Sequence, residues 1–220
     1  MQIELWSDFA CPWCALGLYR LEAALAQFEH GDAVAVVHRA FELDPRAPDR
    51  RGIDMAEAVS RKYGLGAEQV AAGHRQLSAF GAEVGMTFNF DRVQLGNTFA
   101  AHRLARWSLG SGHEDALIKG LFAAYFTEGR LLSDPEVLLD VAQAAGLEPS
   151  QARQVIESDA FAREVRAEES AAQELDVTGV PFFLINGRWP IPGAQDVETM
   201  LLIVRRAWER TEHAANDGPS

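Results

Sequence analysis

The chain contains 220 residues, of which 48% are hydrophobic and 24% charged, a composition typical of folded globular proteins and unlike that of disordered ones. Its 20 basic and 32 acidic residues give a formal net charge of −12, which argues against nucleic acid or an anionic membrane surface as a partner. No apolar run approaches the roughly 18 residues that a membrane span needs, and the N-terminus shows no signal-peptide pattern, so we expect a cytoplasmic protein.

The first 41 residues are predicted to form a strand, a helix and a second strand. Ile3 and Leu5 belong to the apolar pattern of the first strand. The helix carries an apolar stripe at helical spacing, formed by Leu18, Leu21, Leu25 and Phe28. Segment 33–41 is apolar on both alternating faces, which predicts a strand buried on both sides. The helix between these strands begins at Cys-Pro-Trp-Cys, residues 11–14, where the proline suits the first helical turn.

Residues 53–174 carry helical periodicity and no strand pattern. Asp54 and Glu57 form a capping-box sequence that predicts the start of the first helix in this segment. Apolar residues at helical spacing predict further helices over 97–109 and 117–126. We therefore expect an all-helical domain inserted into the chain.

Strand patterns return after the helical segment. Phe182–Ile185 is a short apolar run that predicts a buried strand, and Asn186-Gly187 predicts a two-residue hairpin turn after it. The return segment 188–191 contains Pro190, which confines it to the edge of a sheet. A last helix follows, and the small polar residues 214–220 are expected to form a flexible tail. The two ends of the chain are thus predicted to build one α/β domain.

The two cysteines, Cys11 and Cys14, determine the expected chemistry. A tetrahedral zinc site needs four ligands, but there is no third cysteine and the histidines lack metal-ligand spacing, so we expect no metal site. Two structural cysteines paired by chance are a further alternative, but a Cys-x-x-Cys sequence starting a helix favours a redox dithiol. Backbone N–H groups and the helix dipole stabilise a thiolate at Cys11, which we expect to attack disulfides. Cys14, one turn inside the helix, is expected to resolve the mixed disulfide.

The Cys-Pro-Trp-Cys helix start, the helical insert and Val-Thr-Gly-Val-Pro-Phe-Phe at 177–183 together resemble the DsbA family of thioredoxin-fold proteins. Within that family the chain is most similar to the FrnE-like branch, through Ser7-Asp8, Asn97-Thr98, Ala101-His102-Arg103 and Gly193-Ala194-Gln195. The resemblance covers residues 2–210. It implies an α/β thioredoxin-like fold in which an N-terminal βαβ unit (1–52) and a C-terminal ββα unit (175–213) flank the inserted all-helical domain (53–174).

The resemblance also implies candidate site residues. Pro181 corresponds to the cis-proline that lies opposite the redox pair in thioredoxin folds. An extended substrate would then bind along the backbone just before it, at Thr178, Gly179 and Val180. Pro12 and Trp13 would form the environment of the two cysteines. Because Trp13 brings no charge to the thiolate, we expect it to form an apolar rim that meets the substrate, or else only to pack.

Several polar residues have two interpretations. Asp8 precedes Cys11 by three residues and is either a proton acceptor for Cys14 or a cap of the active-site helix or its loop. Asn97 and His102 either face the redox site from the insert or are ordinary helix residues.

A second group of polar residues lies near the ends of predicted elements. Gln195 and Asp196, near the start of the last helix, either hold a charged small thiol such as glutathione or cap that helix. We expect His38 to lie in the core, and Arg39 and Glu42 to be solvated charges at the end of the sheet.

The favoured function is that of a thiol–disulfide oxidoreductase, extended to disulfide isomerase activity, which exchanges disulfides with protein or small-molecule thiols. It requires no cofactor, and glutathione is a candidate co-substrate. One alternative is a glutathione-dependent transferase or isomerase of the kappa or chromene-carboxylate type, whose members generally have serine at the first cysteine position. A non-catalytic client-binding module is another. The sequence does not define an oligomeric state.

Overall fold

Four strands within residues 1–216, the part of the chain that the computed structural model describes, form one sheet in the order β2-β1-β3-β4. Strand β1 (Gln2–Ser7) pairs in parallel with β2 (Ala35–Ala40), and α1 (Pro12–Leu25) forms the crossover between them. Strand β3 (Phe182–Ile185) pairs antiparallel with β1, and β4 (Trp189–Pro192) forms the second edge. The two ends of the chain therefore build one sheet, as predicted, with the proline-containing strand at its edge.

The segment between β2 and β3 is helical, which confirms the predicted insertion. Its helices are α2 (Met55–Tyr63), α3 (Ala67–Glu83), α4 (Phe99–Ser108), α5 (Glu114–Phe122), α6 (Pro135–Ala144), α7 (Pro149–Ile156) and α8 (Ala162–Glu174). A π-helical turn, Ala123–Thr127, continues α5. The predicted cap is present, since the Asp54 carboxylate accepts a hydrogen bond from the Glu57 amide at 2.6 Å. The exact boundaries of the inserted domain stay a prediction.

The last helix, α9 (Val197–Asn216), packs against α1. It includes residues 214–216, which were expected in the tail, whereas residues 217–220 of that expected tail lie outside the described residues. Among residues 1–216, no helix combines the length and the apolarity that crossing a bilayer requires.

One apolar core joins the sheet to the inserted helices. Phe9, which follows β1, and Phe122 of α5 are at most 2% exposed, and their ring centroids lie 5.1 Å apart. Leu5 of the sheet and Phe126 of the π-helical turn are fully buried in the same core. Burying a side chain of this size contributes roughly 1.5–3 kcal/mol. The insert is therefore held against the sheet by shared apolar packing.

The prediction that segment 33–41 forms a strand buried on both sides is wrong. Strand β2 is an edge strand whose residues are mostly only half-buried, and Ala35 is exposed. One of its neighbours is α8, which packs on it and places the carboxylate of Glu168 beside Arg39. The apolar run reflects contacts with helices of the insert, which a strand-pattern argument does not distinguish from a central position in a sheet.

The expectation that Arg39 and Glu42 are solvated charges is also wrong. Glu42 is only 6% exposed, and its carboxylate pairs with Arg166 of α8. Burial raises the pKa of Glu42, although the Arg166 guanidinium opposes the shift. Arg39 is half-buried and donates to Glu4 at 2.7 Å and to Glu168 at 3.0 Å. These ion pairs hold α8 against the sheet.

His38 on β2 is expected to make the fold sensitive to mild acid. Burial lowers the pKa of His38 from 6.5 to about 4, although the charges of Asp115 and Glu114 oppose the shift. Between these two pH values the unfolded chain binds a proton that the folded chain does not. Acidification across this window should therefore lower the free energy of unfolding, by up to about 3 kcal/mol.

Denaturant unfolding at a series of pH values measures this effect. In the variant His38→Leu, the free energy of unfolding is expected to depend less steeply on pH between pH 6.5 and about 4. The matched control is His113→Gln, because His113 is exposed in the folded state and its replacement should leave the slope unchanged. Equal slopes in wild type and His38→Leu would contradict the prediction.

Candidate active site

The Cys-Pro-Trp-Cys segment forms the first turn of α1. Cys11 is the N-cap residue, with extended backbone angles, and Pro12 is the first helical residue, where its missing N–H costs no hydrogen bond. The Cys11 carbonyl accepts from the Cys14 amide at 3.0 Å and the Ala15 amide at 3.3 Å. Among the described residues, no side chain caps α1. The positive end of the helix is therefore available to the Cys11 sulfur.

The two cysteines are free thiols that differ in their surroundings. Cys11 is 5% exposed and Cys14 is fully buried. Burial raises the pKa of Cys14 well above its ordinary value, and the neighbouring Cys11 thiol and the charge of Asp8 add to this, whereas a backbone hydrogen bond from Asp8 opposes it. Cys14 is thus held as a thiol, and Cys11 is the sulfur nearer to solvent.

The Val180–Pro181 peptide bond is cis, which confirms the prediction. The Cys11 thiol donates to the Val180 carbonyl at 3.7 Å, so this segment lies directly beside the redox pair. Pro181 is buried and Val180 is half-buried, whereas Thr178 and Gly179 are exposed. The structure therefore brings Cys11 and Val180 together, while a substrate-binding role for 178–180 stays a prediction.

Gly17 of α1 allows this close approach. A Cβ at Gly17 would lie 3.0 Å from Pro181 Cγ and 3.3 Å from Phe183 Cζ, tighter than most side-chain contacts. The sequence analysis missed this residue, because a lone glycine inside a helical pattern carries no mark of what packs on it. The helix that bears the cysteines and the segment before β3 are therefore in contact through a glycine.

An exposed aromatic side chain borders the redox pair. Trp13 is 41% exposed, and its ring centroid lies 6.5 Å from that of Phe80 on α3. Both interpretations of Trp13 therefore describe part of its environment, since one side packs and the rest faces solvent. Leu43, which is 39% exposed, lies on the loop after β2 that Asp8 binds, and no sequence pattern pointed to it.

Asp8 joins three segments behind the cysteines. It is 2% exposed, and its carboxylate accepts from the Ala10 amide at 3.1 Å, the Thr98 hydroxyl at 2.9 Å and the Leu43 amide at 2.7 Å. Burial by itself raises the pKa of Asp8, but His102 and the two backbone amides outweigh it and lower the pKa. A carboxylate held in its charged form is a weak proton acceptor on its own. The geometry therefore favours the loop-capping interpretation.

Asn97 and His102 both have structural contacts, but Asn97 is half-buried whereas His102 is buried. Asn97 donates to the Ala47 carbonyl at 3.2 Å and accepts from the Phe99 amide at 2.8 Å, so its side chain connects α4 to a loop. His102 is 3% exposed, and its ring centroid lies 4.8 Å from that of Phe9. A substrate-binding role for Asn97 and His102 therefore stays a prediction.

Gln195 and Asp196 also have structural partners. Gln195 donates to the Pro192 carbonyl at 2.8 Å. The Asp196 carboxylate accepts from the amide and the hydroxyl of Thr199, at 2.8 and 2.9 Å, and these bonds lower the pKa of Asp196. This is the capping arrangement, and a role in holding glutathione stays a prediction. Within residues 1–216, no group of three or more His, Cys, Asp or Glu is arranged to hold a metal ion.

Comparison with known proteins shows which family and which proteins the chain is similar to. A family model described as "DSBA-like thioredoxin domain" matches residues 2–204. A crystal structure from Streptomyces coelicolor, described as a probable DsbA oxidoreductase, is 38% identical with a TM-score of 0.90, and the match covers 95% of this chain and 90% of that one. The uncharacterized protein YwbO of Bacillus subtilis is 27% identical over 199 residues, which are 88% of this chain and 90% of YwbO.

A more distant likeness concerns the fold alone. A structure of 2-hydroxychromene-2-carboxylate isomerase has a TM-score of 0.70 at 18% identity, and the match covers 100% of both chains. The architecture, a sheet built from both ends of the chain around a helical insert, is therefore compatible with different chemistries, and the residues of the site have to decide among them.

Proposed function

Because the chain belongs to the DSBA-like thioredoxin domain family, we propose that it is a thiol–disulfide oxidoreductase whose exchanging pair is Cys11 and Cys14. The observation that carries the proposal is the unequal placement of the two sulfurs. Cys11 lies at the free N-terminus of α1 beside the Val180 carbonyl, and Cys14 is fully buried one turn further along. One sulfur is placed to meet a partner and the other to displace it.

The reaction follows from this placement. The Cys11 thiolate attacks one sulfur of a substrate disulfide, and the other substrate sulfur leaves with the electron pair of the broken bond. Cys14 then attacks Cys11 Sγ, so that the Cys11–Cys14 disulfide forms and the second substrate thiol is released. The cysteine pair is oxidised and the substrate is reduced by two electrons. The reverse sequence oxidises a dithiol substrate.

The substrates are proposed to be proteins or small molecules that carry thiols or disulfides. Val180 has its carbonyl beside Cys11, and the exposed Thr178 and Gly179 directly precede it, so this segment is our candidate for extended-segment binding. The exposed part of Trp13, two residues after Cys11, offers an apolar contact. We also assign the chain to the FrnE-like branch, to the cytoplasm and to a reaction in which glutathione serves as co-substrate, with isomerase activity using the same pair.

The fold-level likeness to 2-hydroxychromene-2-carboxylate isomerase makes a glutathione-dependent isomerase or transferase the second candidate. The presence of Cys14 favours the oxidoreductase, because a buried second thiol next to Cys11 is needed to resolve a mixed disulfide and is not needed for glutathione-dependent isomerisation of a small molecule. A client-binding module without catalysis would not need the contact between the Cys11 thiol and the Val180 carbonyl.

Turnover of a disulfide by the purified protein tests the proposal. With a dithiol reductant in excess, the protein is expected to reduce both a glutathione mixed disulfide and a disulfide-bonded protein through many cycles. Mass spectrometry after acid quench should find the oxidised form lighter by two hydrogens, with the bond between Cys11 and Cys14. Conjugation or isomerisation of an electrophile with glutathione, without any change in the cysteines, would support the second candidate instead.

A further inference from the structure

The resolving cysteine has to release a proton inside the protein. Cys14 is fully buried, and burial, together with the nearby Cys11 thiol and the charge of Asp8, raises its pKa well above the ordinary value. Its sulfur must nevertheless become a thiolate to attack Cys11 in the mixed disulfide. A proton acceptor inside the protein would let this step proceed near neutral pH.

Asp8 alone is poorly suited to this task. Three hydrogen bonds, from Ala10, Leu43 and Thr98, stabilise its charged form and would be weakened by protonation. Asp8 lies next to the cysteine turn, since its backbone carbonyl accepts from the Cys11 amide at 3.0 Å and the Cys11 carbonyl accepts from the Cys14 amide at 3.0 Å. The charge of Asp8 contributes to the raised pKa of Cys14, but the lowered pKa of Asp8 means that the carboxylate holds a proton only weakly. A second group next to Asp8 has to share the proton.

His102 is the group in that position. Its Nε2 atom lies 3.5 Å from Asp8 Oδ1, longer than a normal hydrogen bond, and has no hydrogen-bond partner among the described residues. The ring is 3% exposed and packs on Phe9, so it cannot turn to solvent. A buried nitrogen without a hydrogen-bond partner is unfavourable in a folded protein and calls for an explanation, either a bound water or a role in the chemistry.

His102 also borders a small cavity of about 20 Å³ that polar and apolar side chains line together. The polar residues around this cavity, besides His102, are Ser7, His38, Arg39, Arg106 and Glu168. A space of this size accommodates one water molecule, and the lining supplies the polar partners that a buried water needs. The imidazole therefore contacts the carboxylate behind the cysteines and a site for water at the same time.

Most of the other charged groups near His102 form ion pairs with one another. His38 and Arg39 on β2, Arg106 on α4 and Glu168 on α8 line the cavity beside the ring. Asp8 after β1 and Glu42 after β2 interact with His102 through their charges. Tyr125 after α5 lies close enough to Asp8 for the charge of Asp8 to raise its pKa. Arg106 lies 3.3 Å from Glu168, which also pairs with Arg39. Glu42 pairs with Arg166. Asp8 is thus the charge that His102 faces directly.

We propose that His102, acting through Asp8, takes up the proton of Cys14 during resolution of the mixed disulfide, an inference that rests on the proposed dithiol chemistry. The S–H bond of Cys14 breaks and its proton passes to the Asp8–His102 pair. The Cys14 sulfur bonds to Cys11 Sγ, and the bond from Cys11 to the substrate sulfur breaks. The substrate leaves as a thiolate and takes a proton from solvent, while the pair returns its proton through the cavity. His102 is a positioning residue, because it does not touch the reacting sulfurs.

Two-phase release from an aromatic disulfide, 5,5′-dithiobis(2-nitrobenzoate), tests the proposal. The first equivalent of coloured thiolate reports attack by Cys11, and the second reports resolution by Cys14. In His102→Gln the second phase at neutral pH is expected to slow about a hundredfold, as for the loss of a general base, with the first phase within about twofold of wild type. At about two pH units higher the second phase should recover, because hydroxide then removes the proton directly. A merely structural role would not give this recovery.

The matched control is His74→Gln, since His74 is a half-buried histidine stacked on Phe90 at 4.1 Å, away from Asp8. Both phases should be unchanged in it. A second phase within about twofold of wild type in His102→Gln, or equal slowing of both phases, overturns the proposal.

Where His102→Gln does not fold, the wild-type pH profile decides. An internal acceptor predicts a second phase that changes little over about two pH units above neutrality, whereas a tenfold rise per unit means direct transfer to hydroxide and overturns the proposal. The absence of any first phase in folded wild type would instead contradict the proposed function.

Discussion

Replacing Cys11 by serine is expected to remove disulfide exchange completely, whereas replacing Cys14 by serine should arrest the reaction after the first attack. Cys11 lies at the N-terminus of α1 and contacts Val180, so its sulfur is the one that a substrate meets. Without it, the fully buried Cys14 cannot reach a partner. Without Cys14, the mixed disulfide between Cys11 and the substrate has no internal thiol to resolve it.

Trapping and turnover together measure this outcome. Non-reducing electrophoresis and mass spectrometry of Cys14→Ser, mixed with a disulfide-bonded protein, should show a covalent adduct through Cys11. Cys11→Ser should show none, and both variants should lack multiple turnovers with a dithiol substrate. Each variant serves as the control for the other, since both replace one sulfur by oxygen. An adduct that forms in Cys11→Ser and is missing in Cys14→Ser would reverse the two roles.

The variant Asp8→Asn is expected to destabilise the protein by about 3 kcal/mol at neutral pH, because it removes a charged acceptor and turns an amide N–H toward buried donors. The Asp8 carboxylate accepts from three segments at once, through Ala10, Leu43 and Thr98. An asparagine has one acceptor oxygen and cannot satisfy donors on both sides of the carboxylate. Denaturant unfolding of the purified variant measures the loss.

The pH dependence of this difference has a definite sign. His102 and the backbone amides lower the pKa of Asp8 from 3.8 in the folded state, against the effect of burial. The stabilisation is therefore complete above the ordinary pKa and is lost as the pH falls through the folded value. The difference in free energy of unfolding between wild type and Asp8→Asn should therefore become smaller below about pH 4.

Asp44→Asn is the matched control for Asp8→Asn. Asp44 is exposed and pairs with Arg51, so its replacement should cost less than about 1 kcal/mol. Equal losses in the two variants would show that the buried hydrogen bonds of Asp8 add no stability.

The features that the sequence predicted correctly are those with local signals. The proline after Cys11 starts a helix, and Asn186-Gly187 forms the tight turn between β3 and β4 with both residues at positive φ. The cis bond before Pro181 followed from the family resemblance. Each of these depends on a few neighbouring residues.

The features that it missed depend on contacts between distant segments. Thr98 is 90 positions from Asp8, and no periodicity reports that its hydroxyl binds the carboxylate. The same holds for His102, whose helical pattern shows an amphipathic helix but not which element covers each face. The edge position of β2 was missed because α8 half-covers it, and an apolar strand pattern looks the same beside a helix as beside another strand.

The contact at Gly17 has a consequence for the geometry around Cys11. The cysteine helix approaches Pro181 closely because position 17 carries no side chain. A Cβ at this position would lie only 3.0 Å from the proline ring. Gly17 thus sets how closely the cysteine helix approaches the segment that carries the Val180 carbonyl. The contact between the Cys11 sulfur and that carbonyl therefore depends on a residue six positions after Cys11, one that packs on Pro181 and Phe183 rather than on the sulfur.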